Sequence, residues 1–131
     1  MEKYSKYGPL VLRIGLSAVV LWFSVSQFLG AQDWVAYVPD SIVSMFGVSA
    51  LTLVYLNAIF ELVFGVMLLL GIFTRISALL LALHLFEISY IVGYGQTGVR
   101  DFGLAVAILS IFFTGSDAWC IDYKTKVTNN N

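Results

Sequence analysis

A chain of 131 residues that is 60% hydrophobic and only 11% charged has too little charge to coat a water-facing surface, since soluble domains carry roughly 25% charged residues. Its mean hydropathy of +0.89 makes the lipid bilayer its natural solvent. Its net charge of −1 offers nothing to a nucleic-acid partner, and its single cysteine, Cys120, excludes an internal disulfide or a Cys-rich metal cluster.

The length allows one domain, 1–131, and no separate catalytic module. A membrane-spanning helix needs about 20 mainly apolar residues. The first predicted span is 10–29, opened by Pro9, whose missing N–H costs little in a first helical turn. It is long enough to cross and lacks a small-residue cleavage site, so it reads as a retained span and not a signal peptide. Residues 30–40 break the apolar pattern with Asp33, Trp34, Tyr37, Pro39 and Asp40. Together with the moderately apolar 41–48 they read as an interfacial segment, where aromatic side chains collect. The second span is 51–72 and the third is 76–92, separated by the short Thr74-Arg75 turn. A Gly-rich loop, 93–98, leads to Arg100-Asp101 and the fourth span, centred on 102–113 and reaching 99–115 with its flanks. The tail, 116–131, is polar and ends in three asparagines, and its last residues are expected to be disordered. The fold class is therefore all-α, an integral membrane four-helix bundle.

Basic residues orient such a bundle, because cytoplasmic loops are enriched in Lys and Arg. With four spans, Lys3, Lys6, Arg13, Arg75, Lys124 and Lys126 fall on one side and Arg100 alone on the other. Both termini and the Arg75 turn are expected in the cytoplasm, and the location is a cell membrane, inner or plasma, crossed several times.

Ionisable side chains in hydrocarbon are costly and usually face the bundle interior or water. Glu61, His84 and Glu87 lie deep. Each carboxylate sits about 11 residues from the turn between the second and third spans, or ~16 Å in at ~1.5 Å per residue. The two carboxylates are expected to meet near the midplane and share a proton, with His84 one turn nearer the cytoplasm on the same face. Three readings stay open for this group: hydrogen bonds that fix helix register, a cofactor, proton or substrate site, or a surface shared with a partner. Asn57 and Gly65 lie on the face of Glu61, and Arg13, Ser17, Ser24 and Gln27 mark a polar seam on the first span. On the fourth span, Gly103, Ala107, Ser110 and Thr114 form a small-residue stripe of the kind that lets membrane helices approach. Arg13 reads as a topology anchor or an ion-pair partner, and Arg100-Asp101 as a local charge pair or a ligand contact. Cys120, between Trp119 and Ile121, reads as an interfacial packing residue.

There is no P-loop, no Gly-x-Gly-x-x-Gly and no His-Glu-x-x-His. One histidine cannot form bis-histidine haem ligation, and His84 with the two glutamates is too thin a ligand set to assign a metal.

The whole pattern resembles the DoxX family of small four-helix membrane proteins. The resemblance rests on Leu12-Arg13-Ile14-Gly15, on residues 61–78 with Glu61, an apolar run, a glycine and the Thr74-Arg75 turn, on Arg100-Asp101-Phe102, and on Gly115 followed by residues through Asp122. It implies weight on Arg13, Glu61, Arg75, Arg100 and Asp101, while His84 and Glu87 stand outside the implied pattern. Some members are implicated as the small membrane subunit of a thiosulfate:quinone oxidoreductase, and others are linked to redox and oxidative-stress complexes. The resemblance thus implies a small membrane subunit of a redox-associated, quinone-linked complex, with the bilayer and other subunits as partners. No cofactor is evident in the residues themselves, and electrons would come from a partner or from quinone. The alternatives are a purely structural assembly subunit and a small proton or solute channel or transporter.

Overall fold

The computed structural model describes residues 2–129. Eight helices follow one another: α1 (Glu2–Ser5), α2 (Tyr7–Leu29), α3 (Ala31–Val35), α4 (Asp40–Phe46), α5 (Ala50–Leu70), α6 (Thr74–Val92), α7 (Gln96–Thr114) and α8 (Ile121–Asn129). Among them α2, α5, α6 and α7 are long and apolar enough to cross a membrane, and each starts and ends within a few residues of a predicted span. In each span only 28–33% of the most apolar stretch is buried in the bundle. The remainder is mostly apolar surface that the bilayer must cover.

Local chemistry sets the helix ends. Ser49 caps α5, its hydroxyl accepting from the Thr52 amide at 3.2 Å. Gly71, at φ +70, stops α5 in a left-handed turn. There the amides of Gly71 and Ile72 donate to Leu68 and Met67 carbonyls at 3.2 and 2.9 Å, the pattern of a Schellman C-cap. α2 packs chiefly on α5, and α6 chiefly on α7. Gly65 lets α2 close on α5, since a Cβ there would lie 3.0 Å from Leu21. Ser24 adds a hydrogen bond from its hydroxyl to the Ala58 carbonyl at 2.8 Å across the same interface.

The apolar core occupies one half of the bundle. Leu16, Val20, Leu68, Ala78, Leu81 and Ile108 cluster toward the end that carries the α5–α6 turn and both chain termini. That end is closed by residues 115–122, which the sequence reading left as a polar tail. Arg13 is 2% exposed. Its Nε donates to Asp117 at 2.7 Å and its Nη2 at 3.3 Å. Its Nη1 donates to the last carbonyls of α5, Leu68 and Leu69. Arg13 is thus a buried ion-pair partner. Asp122 takes the amides of Phe73 and Thr74 at 2.9 and 2.7 Å and the Thr74 hydroxyl at 2.9 Å. It therefore caps α6 from 48 residues away, and its own amide donates to Gly71 at 3.0 Å. Cys120 is fully buried against Gly71, where any Cβ would fall 2.5 Å from its own. Residues 121–129 then form α8, so the tail is helical through Asn129. The expected disorder falls in part on Asn130 and Asn131, which lie outside the described residues.

The small-residue stripe of the fourth span packs only in part: Ala107 lies against the core. Gly103 faces open space, and Ser110 and Thr114 return their hydroxyls to carbonyls of their own helix. The buried face of α7 carries Gly98, Asp101, Ala105, Ile108 and Ile111 instead. In a bilayer, small residues are as stable facing lipid as facing a helix, so the stripe alone could not mark the interface.

Asp122→Ala is expected to lower the unfolding free energy by about 1–2 kcal/mol, as loss of a helix N-cap does, measured by chemical unfolding in micelles. Burial raises the Asp117 and Asp122 carboxyls, but hydrogen bonds from Arg13 and from the Trp119 amide for Asp117, and from Thr74 and Phe73 for Asp122, outweigh it and hold both below the ordinary range. Their stabilisation is complete above the ordinary value of about 4 and is lost as pH falls through the lower folded-state values. Wild-type thermal stability should therefore drop below pH ~4, and Asp122→Ala should drop less over the same interval.

Candidate functional site

The half of the bundle away from the closed end is not filled. A cavity of about 360 Å³ lies between α2, α5, α6 and the start of α7. Its walls are mostly apolar and aromatic, with Phe23, Phe60 and Leu85 deep inside and Trp34, Tyr37, Pro39, Ile42 and Phe46 of the 34–46 segment across its mouth. The segment predicted to lie at the interface is thus the cavity's cap. Trp34 is fixed edge-on to Phe23 at 6.1 Å and packs on Tyr37 at 5.9 Å.

One wall is polar. Gln27 on α2 donates from Nε2 to Glu61 on α5 at 2.6 Å and to the Phe23 carbonyl at 3.1 Å. Asn57, one turn before Glu61, donates to Gln27 Oε1 at 2.7 Å. The three side chains form one chain of hydrogen bonds between α2 and α5, with Glu61 only 3% exposed. The second carboxyl oxygen, Oε1, faces Nε2 of His84 on α6 at 3.8 Å. That separation is too long for a hydrogen bond. His84 Nε2 is buried and has no hydrogen-bond partner, while the imidazole packs on Phe60 with ring centroids 4.5 Å apart.

Glu87 does not join this group. It lines the cavity but is exposed, and it makes no hydrogen bond or ion pair with any described residue. The expected pair of facing carboxylates is therefore replaced by Glu61 facing His84. Three residues along a helix rotate a side chain by about 60° from the starting face, enough to carry Glu87 from the wall to the rim. Among the described residues no three His, Cys, Asp or Glu side chains converge to hold a metal ion.

Arg100 and Asp101 line the same cavity from α7. Arg100 Nε donates to Asp101 at 2.8 Å, and its guanidinium lies 4.6 Å from the centre of the Phe23 ring. They form a local charge pair that also faces the cavity. Arg13 and Arg75 lie at the other end. Arg75 is exposed, with its guanidinium 2.9 Å from the point a Cβ would take on Gly115, so it packs over the end of α7. Sequence reasoning placed Gln27 on a polar seam without seeing that it anchors Glu61. The signal was an amide on the face of Arg13 and Ser24, deep in an apolar span. Nothing local in the sequence marked Phe60 or Trp34 as cavity walls.

A family model described as DoxX matches residues 8–93. The chain belongs to the DoxX family. No curated protein and no solved structure matches it. The matched residues run from the start of α2 through α6 and include the Gln27–Asn57–Glu61 chain and His84. Arg13, Glu61 and Arg75 also lie within the matched residues, while Arg100 and Asp101 reach the cavity from α7, beyond them.

Gln27→Leu removes the donor to Glu61, and Asn57→Leu leaves Gln27 Oε1 without one. Each single change is expected to cost about 1–3 kcal/mol. The double variant should cost less than the sum, with a coupling of about 0.5–3 kcal/mol, read from a double-mutant cycle of unfolding in micelles.

Proposed function

We propose that this protein is a small membrane subunit of a redox-associated complex and that its cavity receives the head group of a quinone. The observation that carries the reading is the unpartnered His84 Nε2, set 3.8 Å from Glu61 Oε1 in the wall of an aromatic cavity. Buried polar atoms are nearly always paired. A single ligand oxygen about 2.8 Å from both atoms satisfies the imidazole and the carboxyl together. With a carbonyl oxygen, the His84 Nε2–H and a protonated Glu61 both donate; with a hydroxyl, His84 still donates and the Glu61 carboxylate accepts. The pair therefore suits both the oxidised and the reduced form of one ring oxygen. The aromatic rings suit a flat apolar ring by stacking.

Quinone supplies two-electron chemistry coupled to two protons. This chain's part is to bind the ring, orient one oxygen and hold a proton at Glu61 or His84. Gln27 and Asn57 fix the Glu61 carboxyl so that only Oε1 is free to face the ligand. A partner subunit delivers or accepts the electrons, because the site's side chains carry none. In this reading the closed end, with six of the seven basic residues, faces the cytoplasm, and the cavity lies in the outer half of the membrane.

Trp34 at the cavity mouth provides the assay. In a Trp22→Phe/Trp119→Phe background, a short-chain benzoquinone should quench Trp34 fluorescence saturably. His84→Ala should weaken that binding about tenfold, the worth of one hydrogen bond in a dry site. Binding unchanged in both His84→Ala and Glu61→Ala would overturn the reading.

A further inference from the structure

We propose that the cavity is loaded sideways from the bilayer, through the seam between the outer halves of α5 and α6, by a lipid-phase ligand whose apolar chain stays in that seam. This rests on the quinone reading and narrows it to quinones carrying a long hydrocarbon tail. α5 and α6 are joined by a three-residue turn, 71–73. Yet they pack on each other much less than α2 packs on α5 or α6 on α7. The core residues they share, Leu68 of α5 with Ala78 and Leu81 of α6, belong to the closed half. Beyond Glu61 and His84, residues of both helices, Leu53, Leu56, Asn57, Ile88 and Ile91 among them, line the cavity.

A residue that lines a cavity and is also exposed marks its opening. Leu56 on α5 is 54% exposed and Glu87 on α6 is exposed, and both line the cavity, as do the exposed Tyr37 and Phe46 of the cap and Arg100 of α7. Of these, Leu56 and Glu87 belong to the two loosely packed helices. They come from the two helices that flank the seam, and Phe60 and Ile88 of the same helices also line the cavity. Leu56 is six residues into α5, ~9 Å from its start at ~1.5 Å per residue. The opening therefore lies beside acyl chains. The water-facing route is covered by the aromatic 34–46 cap, whereas the lateral route is lined by Leu56, Phe60, Ile88 and Ile91. An apolar tail in this seam leaves no polar group unsatisfied and needs no passage through the cap. Glu87 lies near the outer end of α6, which closes at Val92, within reach of the interface for a long charged side chain.

The test is a benzoquinone with a photoactivatable diazirine on its alkyl chain, added to proteoliposomes of the full chain. Adducts on 50–60 and 84–92 that are lost on adding excess unlabelled tailed quinone are the expected result. Competed adducts on 34–46 instead would overturn the seam while leaving the quinone reading in place. No competed adduct at all would overturn the quinone reading. The opening itself is then decided by Phe60→Trp in a background with Trp22, Trp34 and Trp119 changed to Phe. Its emission should be lost in bilayers of lipids brominated on their acyl chains, and full emission there would overturn the lateral opening.

Discussion

Arg13 and Asp117 meet where the start of α2, the end of α5 and the segment after α7 converge, and the rest of the bundle depends on that meeting. An arginine in the first turns of a span carries a charge that hydrocarbon does not tolerate alone. Here the carboxylate at 2.7 Å neutralises it, and its remaining donors reach the Leu68 and Leu69 carbonyls. Those carbonyls belong to the last turn of α5, where intrahelical donors run out. Leu68 already accepts from the Gly71 amide, and Arg13 adds a bond there and meets Leu69. Arg13 thus resolves two problems that the bilayer would otherwise penalise, an unpaired cation and a helix-end carbonyl at Leu69. Asp122 does the converse for α6, accepting from amides that have no partner in their own helix. Cations at helix C-termini and carboxylates at N-termini also match the sign of the helix dipoles.

A bundle tied so completely at one end need not be tied at the other. Helices in lipid gain little from hydrophobic contact with one another, since the tails around them are just as apolar. Close packing therefore persists where small residues and hydrogen bonds impose it, as at Gly65, Ser24 and Gly71. Elsewhere helices are free to diverge. The cavity occupies the divergent half, and its polar wall sits at the boundary between the two regimes. Gln27 bonds both Asn57 and Glu61, so that wall is tied where α2 meets α5. His84 comes from α6, across the loose seam, and its Nε2 has no partner. The division follows the packing: the polar groups are satisfied across the tight interface and left open across the loose one.

The four spans were legible because hydropathy over about 20 residues is a strong signal, and 10–29 against Tyr7–Leu29 shows how little the ends moved. The buried face of the first span was legible too, since Arg13, Ser17, Ser24 and Gln27 recur at helical spacing and all four are buried. What was not legible depends on rotation and on distant partners. Glu87 and His84 are three residues apart, and depth alone could not say which of them meets Glu61. Asp117 and Asp122 read as solvated tail residues because their partners lie 104 and 48 positions away. No pattern within a window of one or two helical turns contains both halves of such a pair.

The match to DoxX ends at residue 93, but the matched segment is incomplete as a physical object. Arg13 needs Asp117, the first turn of α6 needs Asp122, and Gly71 has no Cβ because Cys120 occupies that space. The cavity likewise needs Arg100 and Asp101 for its fourth wall. The buried Arg13 and the open amides at the start of α6 are both met by carboxylates that come later in the chain, at the closed end. The same constraint explains the placement of acidic residues here. Both carboxylates between 115 and 122 are spent on helix ends and on Arg13, while Glu61 and Glu87, placed away from those ends, are left to face the cavity.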